Sequence, residues 1–329
     1  MAGRRTLNEP PKASKTGTGP VGAAHVSVMM GEVVEWLRPR PGARLVDATI
    51  GFGGHAAALL SAAPDSNLLG LDRDPAALAG ARDHLRTEED RVDLRQANFV
   101  EAGAILAEKG WDGVDAVLLD LGVSSLQLDS AERGFAFQRE GPLDMRMDPS
   151  GPLTAAEMVN HWPEARLARL LAEYGEERRA RAVAGAIVRA RPLGTTAELA
   201  TVVSGVLGAG RARLHPATRT FQALRIAVND ELGGLDRFLA DGYALLRPGG
   251  RLAVLSYHSL EDRRVKAAFR RWAADCLCPP GLVLCACGWT AKVHLLTRRP
   301  IRPGAAEVAR NPRARSARLR VVERLGAGR

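Results

Sequence analysis

The chain has 329 residues, 46% of them hydrophobic and 25% charged, so it can bury a full core and is long enough for two domains. It holds no apolar run of the roughly 18 residues that a membrane helix needs, and its start (Arg4, Arg5, Asn8 to Pro11, Lys12, Lys15) lacks the apolar stretch of a signal peptide, so a cytoplasmic protein with no membrane partner is expected. The net charge of +9 is unevenly placed: residues 261–329 hold 16 Lys and Arg against 5 Asp and Glu, which suggests either a polyanionic partner at the basic end or a solvated tail.

Residues 1–22 are polar, rich in Gly, Pro, Lys and Thr, and read as a flexible lead-in. The spacing of Val28, Met29, Met30, Val33, Val34 and Leu37 predicts an amphipathic helix that stops at Pro39. Three short apolar runs follow, Arg44–Asp47, Leu68–Asp72 and Ala116–Asp120, each ending on a carboxylate, with a weaker strand at Val92–Gln96. Runs of this kind suit strands buried on both faces of a parallel sheet, whose ligands sit beyond the carboxyl ends. After Gln127 the strand rhythm gives way to helical segments at Ala165–Tyr174, Arg179–Ala190 and Thr196–Gly205. It returns at Leu245–Leu255, read as a helix stopped by Pro248-Gly249-Gly250 and then a buried strand, with late strands at Val293–Leu296 and Leu319–Val322. The expected architecture is a doubly wound, mostly parallel α/β domain formed by residues 23–128 and 229–329, interrupted by an all-helical insertion at 129–228.

The loop Asp47-Ala48-Thr49-Ile50-Gly51-Phe52-Gly53-Gly54-His55 joins the first strand to a helix, and its bare backbone lets a ligand approach closely. Asp72, 25 residues after Asp47 and at the tip of the next strand, can accept both hydroxyls of an adenosine ribose. Phe99 follows the third strand, where it can cover an adenine, and Asp120 and Gln127 follow the fourth. A nicotinamide dinucleotide would use a similar loop, but its Gly-x-Gly-x-x-Gly fingerprint fails here at Ala56. The acidic Asp47 also suits the ammonium of a methionine moiety better than a pyrophosphate.

Long blocks then carry a resemblance that runs from about His25 to Arg324. Among them are Asp47-Ala48-Thr49-x-Gly51-x-Gly53-Gly54-His55, Leu71-Asp72-Arg73-Asp74, Leu118 to Asp129, Glu132-Arg133-Gly134-Phe135, Gly141 to Met147, Tyr174 to Arg178, His215 to Gln222, Ser256-x-His258-Ser259-Leu260-Glu261-Asp262-Arg263 and Asn311 to Ser316. With these blocks the chain resembles the bacterial small-subunit ribosomal RNA cytosine-N4 methyltransferases, which modify a decoding-centre cytidine. The resemblance implies a class I methyltransferase sheet, S-adenosylmethionine as methyl donor, and small-subunit ribosomal RNA or the 30S subunit as partner, with no DNA. It places Gly53, Gly54, His55, Asp72, Phe99, Asp120 and Gln127 at the cofactor; the reading of the loop adds Asp47 and Gly51. An amino-methyltransferase acting on DNA or another RNA, or a ribosome-assembly RNA-binding protein without catalysis, are the alternatives.

Cytosine N4 is a poor nucleophile because its lone pair is delocalised into the ring, so the enzyme must orient the amine and accept a proton. Asp120 is the first candidate, with Ser256 and His258 reaching over from the next strand end; His258 is equally readable as a satisfied strand-end histidine. Asp120-Leu121-Gly122-Val123 replaces the Asp/Asn-Pro-Pro-aromatic turn of many amino-methyltransferases, so a stacking aromatic must come from elsewhere, Tyr257 or Trp162, or be absent. Arg133, Arg146, Arg178, Arg219, Arg313 and Arg315 are the candidate RNA contacts, against pairing of some with Asp144, Glu176 or Glu177. Cys276, Cys278, Cys285 and Cys287 form two Cys-x-Cys pairs, a four-thiolate set suited to structural zinc, with an iron–sulfur cluster or metal-free thiols as alternatives.

Overall fold

The computed structural model describes residues 27–208, 215–279, 282 and 284–326. The lead-in expected at residues 1–22, and His25 of the resemblance, lie outside the described residues. The chain begins with α1 (Met30–Leu37), β1 (Arg44–Asp47), α2 (Gly54–Ala62), β2 (Asn67–Asp72), α3 (Pro75–His84), β3 (Val92–Gln96), α4 (Ala102–Glu108) and β4 (Val114–Asp120). A helical stretch follows: α5 (Ser125–Asp129), α6 (Ala155–His161), α7 (Glu164–Gly175), α8 (Ala180–Arg189), α9 (Thr196–Leu207) and α10 (Thr218–Val228). The chain then forms α11 (Glu231–Asp241), β5 (Leu246–Ser256), α12 (Ser259–Trp272), β6 (Val293–Leu295), α13 (Ala305–Arg310) and β7 (Arg318–Arg324).

The seven strands lie in the order β3-β2-β1-β4-β5-β7-β6, a doubly wound sheet as expected. β1 to β5 are parallel, while β7 runs antiparallel to both β5 and β6. Because successive side chains point to opposite faces, each apolar run feeds two cores at once. Leu45, Leu68, Leu118, Leu255 and Leu319 pack beneath α1, α2 and α3 through Val33, Leu37, Leu59, Leu60 and Leu78. Val46, Leu69, Leu119, Leu252 and Val322 pack on the other face against Leu106 of α4, Leu235 and Phe238 of α11, and Phe269 and Trp272 of α12. A third core holds only residues between Phe135 and Leu224 among its buried members, with Leu167, Leu171, Val183, Ile187, Leu199 and Phe221 at its centre.

One expectation is corrected here. Pro248-Gly249-Gly250 does not end a helix; the helix stops earlier, and the tripeptide is a bulge inside β5, where pairing jumps from Val114↔Leu246 to Ala116↔Arg251. Gly249 has φ +79°, and a Cβ on Gly250 would meet the Val114 carbonyl oxygen at 2.7 Å, so the kink needs both glycines.

Two buried polar groups tie the helical stretch to the sheet. Asp74, which caps α3 by accepting from Ala76 N (3.0 Å), also receives Gln127 Nε2 (2.9 Å) and lies 2.8 Å from a guanidinium nitrogen of Arg133. Arg133 in turn donates to the carbonyls of Arg146 and Met147. Asn229, between α10 and α11, accepts from Met147 N and donates to the Met145 carbonyl, both at 2.7 Å. Loss of one member leaves the rest buried and unpaired, which is costlier than losing a surface pair. Asp74→Ala is therefore expected to lower the unfolding free energy by about 3–5 kcal/mol in a denaturant titration, whereas Arg237→Ala, whose partner Asp230 is exposed, changes it by less than about 1 kcal/mol.

Candidate active site

A cavity of about 410 Å³ opens at the carboxyl edge of the sheet. It lies where the winding reverses between β1 and β4, the place where open α/β sheets take ligands. Its floor is the turn after β1, whose backbone continues to bond both neighbouring strands: Ala48 N donates to the Leu118 carbonyl (2.9 Å) and Ile50 N to that of Leu71 (2.8 Å). Gly51, with φ +53°, and Gly54 line the cavity, and a Cβ on Gly54 would strike Ser27 Oγ at 2.2 Å. Gly53 is not on this wall. It faces α3, where a Cβ would meet Leu85 Cδ1 at 2.9 Å, so its role is to let loop and helix approach.

Asp72 and Asp120 line the cavity, Asp47 at the end of β1 is buried and does not, and burial raises the pKa of all three. Asp47 is 1% exposed; its Oδ1 accepts from Thr49 N at 3.2 Å, while Oδ2 has no hydrogen-bond partner. Burial lifts its carboxyl to about 7, against the opposing pull of His55 and the Thr49 amide. Asp72 is raised by burial too, partly offset by amides: its oxygens accept from Gly51 N and Asp74 N, both at 2.9 Å, which leaves lone pairs on each. Asp120 is also raised by burial, opposed by His55 and Tyr257. Tyr257 donates to Asp120 Oδ1 at 2.8 Å, and its own pKa is pushed well above the ordinary phenol value, by burial and by Asp120, so it stays a donor. His55 Nε2 donates to the Val28 carbonyl (2.9 Å), which leaves Nδ1 facing Asp120 Oδ2 at 3.6 Å.

Phe99 reaches the cavity wall, held edge-on against Phe238 with ring centres 5.8 Å apart. Gln127 also lines it, but its amide is committed: Oε1 accepts from Ser124 N in a capping box, and Nε2 donates to Asp74. Two expected catalytic groups stand elsewhere. Ser256, 1% exposed, points its hydroxyl at the Arg318 carbonyl of β7 (3.4 Å), outside the cavity. His258 caps α12, accepting from Glu261 N at 3.3 Å, and its Nε2 is buried 3.0 Å from Glu261 Oε1 without a hydrogen-bond partner, so it serves the cap but is not fully satisfied, and it does not line the cavity.

What sequence reasoning missed at this corner is Glu261 and the pair behind it. Glu261 lines the cavity and accepts from Tyr257 N (2.8 Å) and His258 N (3.2 Å). Burial disfavours its charge, but His258 and Arg225 outweigh that and hold its carboxyl below the usual range. Arg225 grips Glu231 with two bonds of 2.8 Å. The signal for Glu261 was its place three residues after His258, the spacing of a capping box; Arg225 and Glu231 sit on different helices and left none.

The arginines divide. Arg133 is consumed by Asp74, and Arg146 by Asp144, whose two oxygens it meets at 2.9 and 2.7 Å, so neither is placed as an open RNA contact. Arg178 and Arg315 are exposed, Arg219 is exposed and donates to the Glu176 carbonyl, and Arg313 at the cavity rim pairs with Asp129 at 2.7 Å. Trp162 lies under Arg166, 3.4 Å from guanidinium carbon to ring centre, and not at the cavity, whereas Tyr257 is. None of the four cysteines lines the cavity.

Comparison with known proteins bears on this site. The profile of the MraW methylase family matches residues 22–325. The protein named ribosomal RNA small subunit methyltransferase H from Geobacter sulfurreducens is 54% identical over 308 residues, covering 92% of this chain and 99% of its own. Proteins of the same name from Syntrophotalea carbinolica and Symbiobacterium thermophilum are 54% and 50% identical, each over 92% of this chain and 98% of theirs.

The raised pKa of Asp47 gives a pH test. The folded chain keeps a proton that the unfolded chain loses, so this contribution to stability is complete below a pH of about 4 and is lost as the pH rises to about 7. Asp47→Asn cannot ionise. Between pH 5 and pH 8 it is expected to gain about 2–3 kcal/mol on the native chain in denaturant titrations, at about 1.4 kcal/mol per pKa unit; a difference that stays constant across that range would refute a desolvated carboxyl.

Proposed function

The chain belongs to the MraW methylase family, and on that premise we propose that it moves a methyl group from S-adenosylmethionine to the exocyclic N4 of a cytidine near the decoding centre of small-subunit ribosomal RNA, in the cytoplasm. The names of its relatives support the polymer, and the cavity supports the chemistry. No helix among the described residues is long and apolar enough to cross a membrane.

The observation that carries this reading is the glycine turn at the cavity floor beside a carboxylate, Asp72, with acceptor capacity left. The cavity lining fits S-adenosylmethionine: Asp72 would meet its ribose hydroxyls, Phe99 its adenine, and Gly51 and Gly54 would allow close approach, whereas Asp47, expected at its ammonium, is buried outside the lining. When bound, that cofactor supplies an electrophilic methyl group on a sulfonium.

The rest falls to the chain's own side chains. Asp120 is the acceptor that would orient the amine and take its proton. A carboxylate raised toward neutrality is a better base than an ordinary one, and Tyr257 and the backbone N–H of Asp120, which donates to Thr49 Oγ1 at 2.7 Å, fix its position. Glu261 stays ionised beside it and offers a second acceptor for the amino hydrogens. The target base must be splayed from folded RNA to reach this depth. We assign the wall beyond Arg313 and Met147 to the proposed helical insertion at 129–228, and phosphate contact to the exposed Arg178, Arg219, Arg313 and Arg315.

Purified protein incubated with tritiated S-adenosylmethionine and unmodified small subunits is expected to yield labelled N4-methylcytidine after digestion. Label in DNA, in another nucleoside, or in no polymer despite cofactor binding would overturn the substrate assignment. Asp72→Ala is expected to abolish cofactor binding by calorimetry, while Arg313→Ala with Arg315→Ala weakens RNA binding and leaves cofactor affinity unchanged.

Tyr257→Phe removes the hydrogen bond that lowers the Asp120 pKa, so the acid limb of the pH–rate profile is expected to move to higher pH. The rate at neutral pH should fall by about 10- to 100-fold, as for a buried group left short of one donor.

A further inference from the structure

Between Trp272 and Val293 the chain makes an excursion with no helix or strand among its described residues and no core of its own. Leu277 and Leu282 are exposed, and Leu284 is 80% exposed. Its base is closed by Lys292 N donating to the Trp272 carbonyl at 2.7 Å, and by Trp289, flanked by Arg271 and Lys292 at 5.8 and 5.1 Å. Hydrophobic burial does not explain why the described cysteines of the excursion gather at one point.

We propose that Cys276, Cys278, Cys285 and Cys287 hold one zinc ion, and that this ion folds the excursion. The four sulfurs all lie within 4.8 Å of one another. Four of the separations are 3.5 Å (Cys276–Cys285), 3.5 Å (Cys285–Cys287), 3.7 Å (Cys276–Cys287) and 3.9 Å (Cys278–Cys285). Thiolates about 2.3 Å from a tetrahedral ion stand about 3.8 Å apart, whereas a disulfide would bring two sulfurs to about 2.05 Å. An iron–sulfur cluster attaches its cysteines to different irons and spreads them wider, so the cage has the size of a single ion.

Backbone amides point inward at the sulfurs, as thiolates require: Leu277 N to Cys287, Cys278 N to Cys276 and Ala286 N to Cys278, each at 3.3 Å. The Cys-x-Cys spacing serves this arrangement, because the amide two residues on in the first pair reaches back to the sulfur that precedes it. The site stands apart from the cavity, so the ion is structural and independent of the methyl-transfer chemistry proposed above.

The test is elemental analysis of the full chain purified without chelator, with cobalt substitution as a second probe. One zinc per chain is expected, and cobalt should give the thiolate charge-transfer and ligand-field bands of a tetrahedral centre. In Cys285→Ser and Cys287→Ser the zinc content should fall by about tenfold or more. To separate metal loss from misfolding, the native chain is digested with a protease before and after chelation; new cleavage should be confined to residues 273–292. Stoichiometric iron, absence of bound metal with no cobalt–thiolate bands, or a digestion pattern that chelation leaves unchanged would overturn the proposal.

Discussion

Three carboxylates brought to one edge of a sheet form the constraint around which this protein is arranged. Asp47, Asp72 and Asp120 end three adjacent strands; burial raises the pKa of all three, and Asp120 and Asp72 add to the shift of Asp47. The fold answers with positioned donors. Gly51 N and Asp74 N hold Asp72, Thr49 N holds one oxygen of Asp47, and Tyr257 donates to Asp120. The oxygen left over, Asp47 Oδ2, concentrates the residual penalty at one point.

A second carboxylate set, just behind the first, converts this edge into a connected wall. Asp74 caps α3 and at the same time binds Gln127 of α5 and Arg133 at the entrance to the helical stretch. The corner after β2 cannot move without moving the corner after β4, and neither moves without the segment carrying Arg146 and Met147. Asn229 repeats the device at the exit, holding Met145 and Met147 from the α10–α11 junction. The helical stretch has its own core yet is pinned to the sheet at both ends by buried hydrogen bonds, which fix direction where apolar contact fixes only proximity.

The far side of the cavity depends on how α12 begins. His258 and Glu261 form a capping box, and the box turns Glu261 inward while folding the His258 ring back along the helix. Tyr257, one residue earlier, is left pointing at Asp120. A helix cap thus selects which of three consecutive polar residues reaches the site: Ser256 goes to β7, Tyr257 to the cavity and His258 to the cap.

Much of the fold was legible in the residues, because its signals are local. Alternation into two cores asks for consecutive apolar residues in the middle of β1, β2 and β4, and a carboxylate closes each run at the carboxyl edge of the sheet. The extents of α7, α8 and α9 in the helical stretch follow from amphipathic spacing. What could not be read locally is the direction of a side chain beyond the end of an element and the partner it meets there. Pro248-Gly249-Gly250 has the composition of a helix stop, and only the pairing of β5 with β4 makes it a bulge. Arg133, Arg146 and Arg313 look alike as cations, and only packing decides that Asp74 and Asp144 consume the first two while the third stands at the cavity rim. The sequence alone determined the sheet, its functional edge and the chemical types gathered there, since these depend on periodicity and residue class. Which of them face the cavity, which are spent on one another and how far apart they stand was decided by tertiary structure, because hydrogen bonds and desolvation act between groups that chain order does not make neighbours.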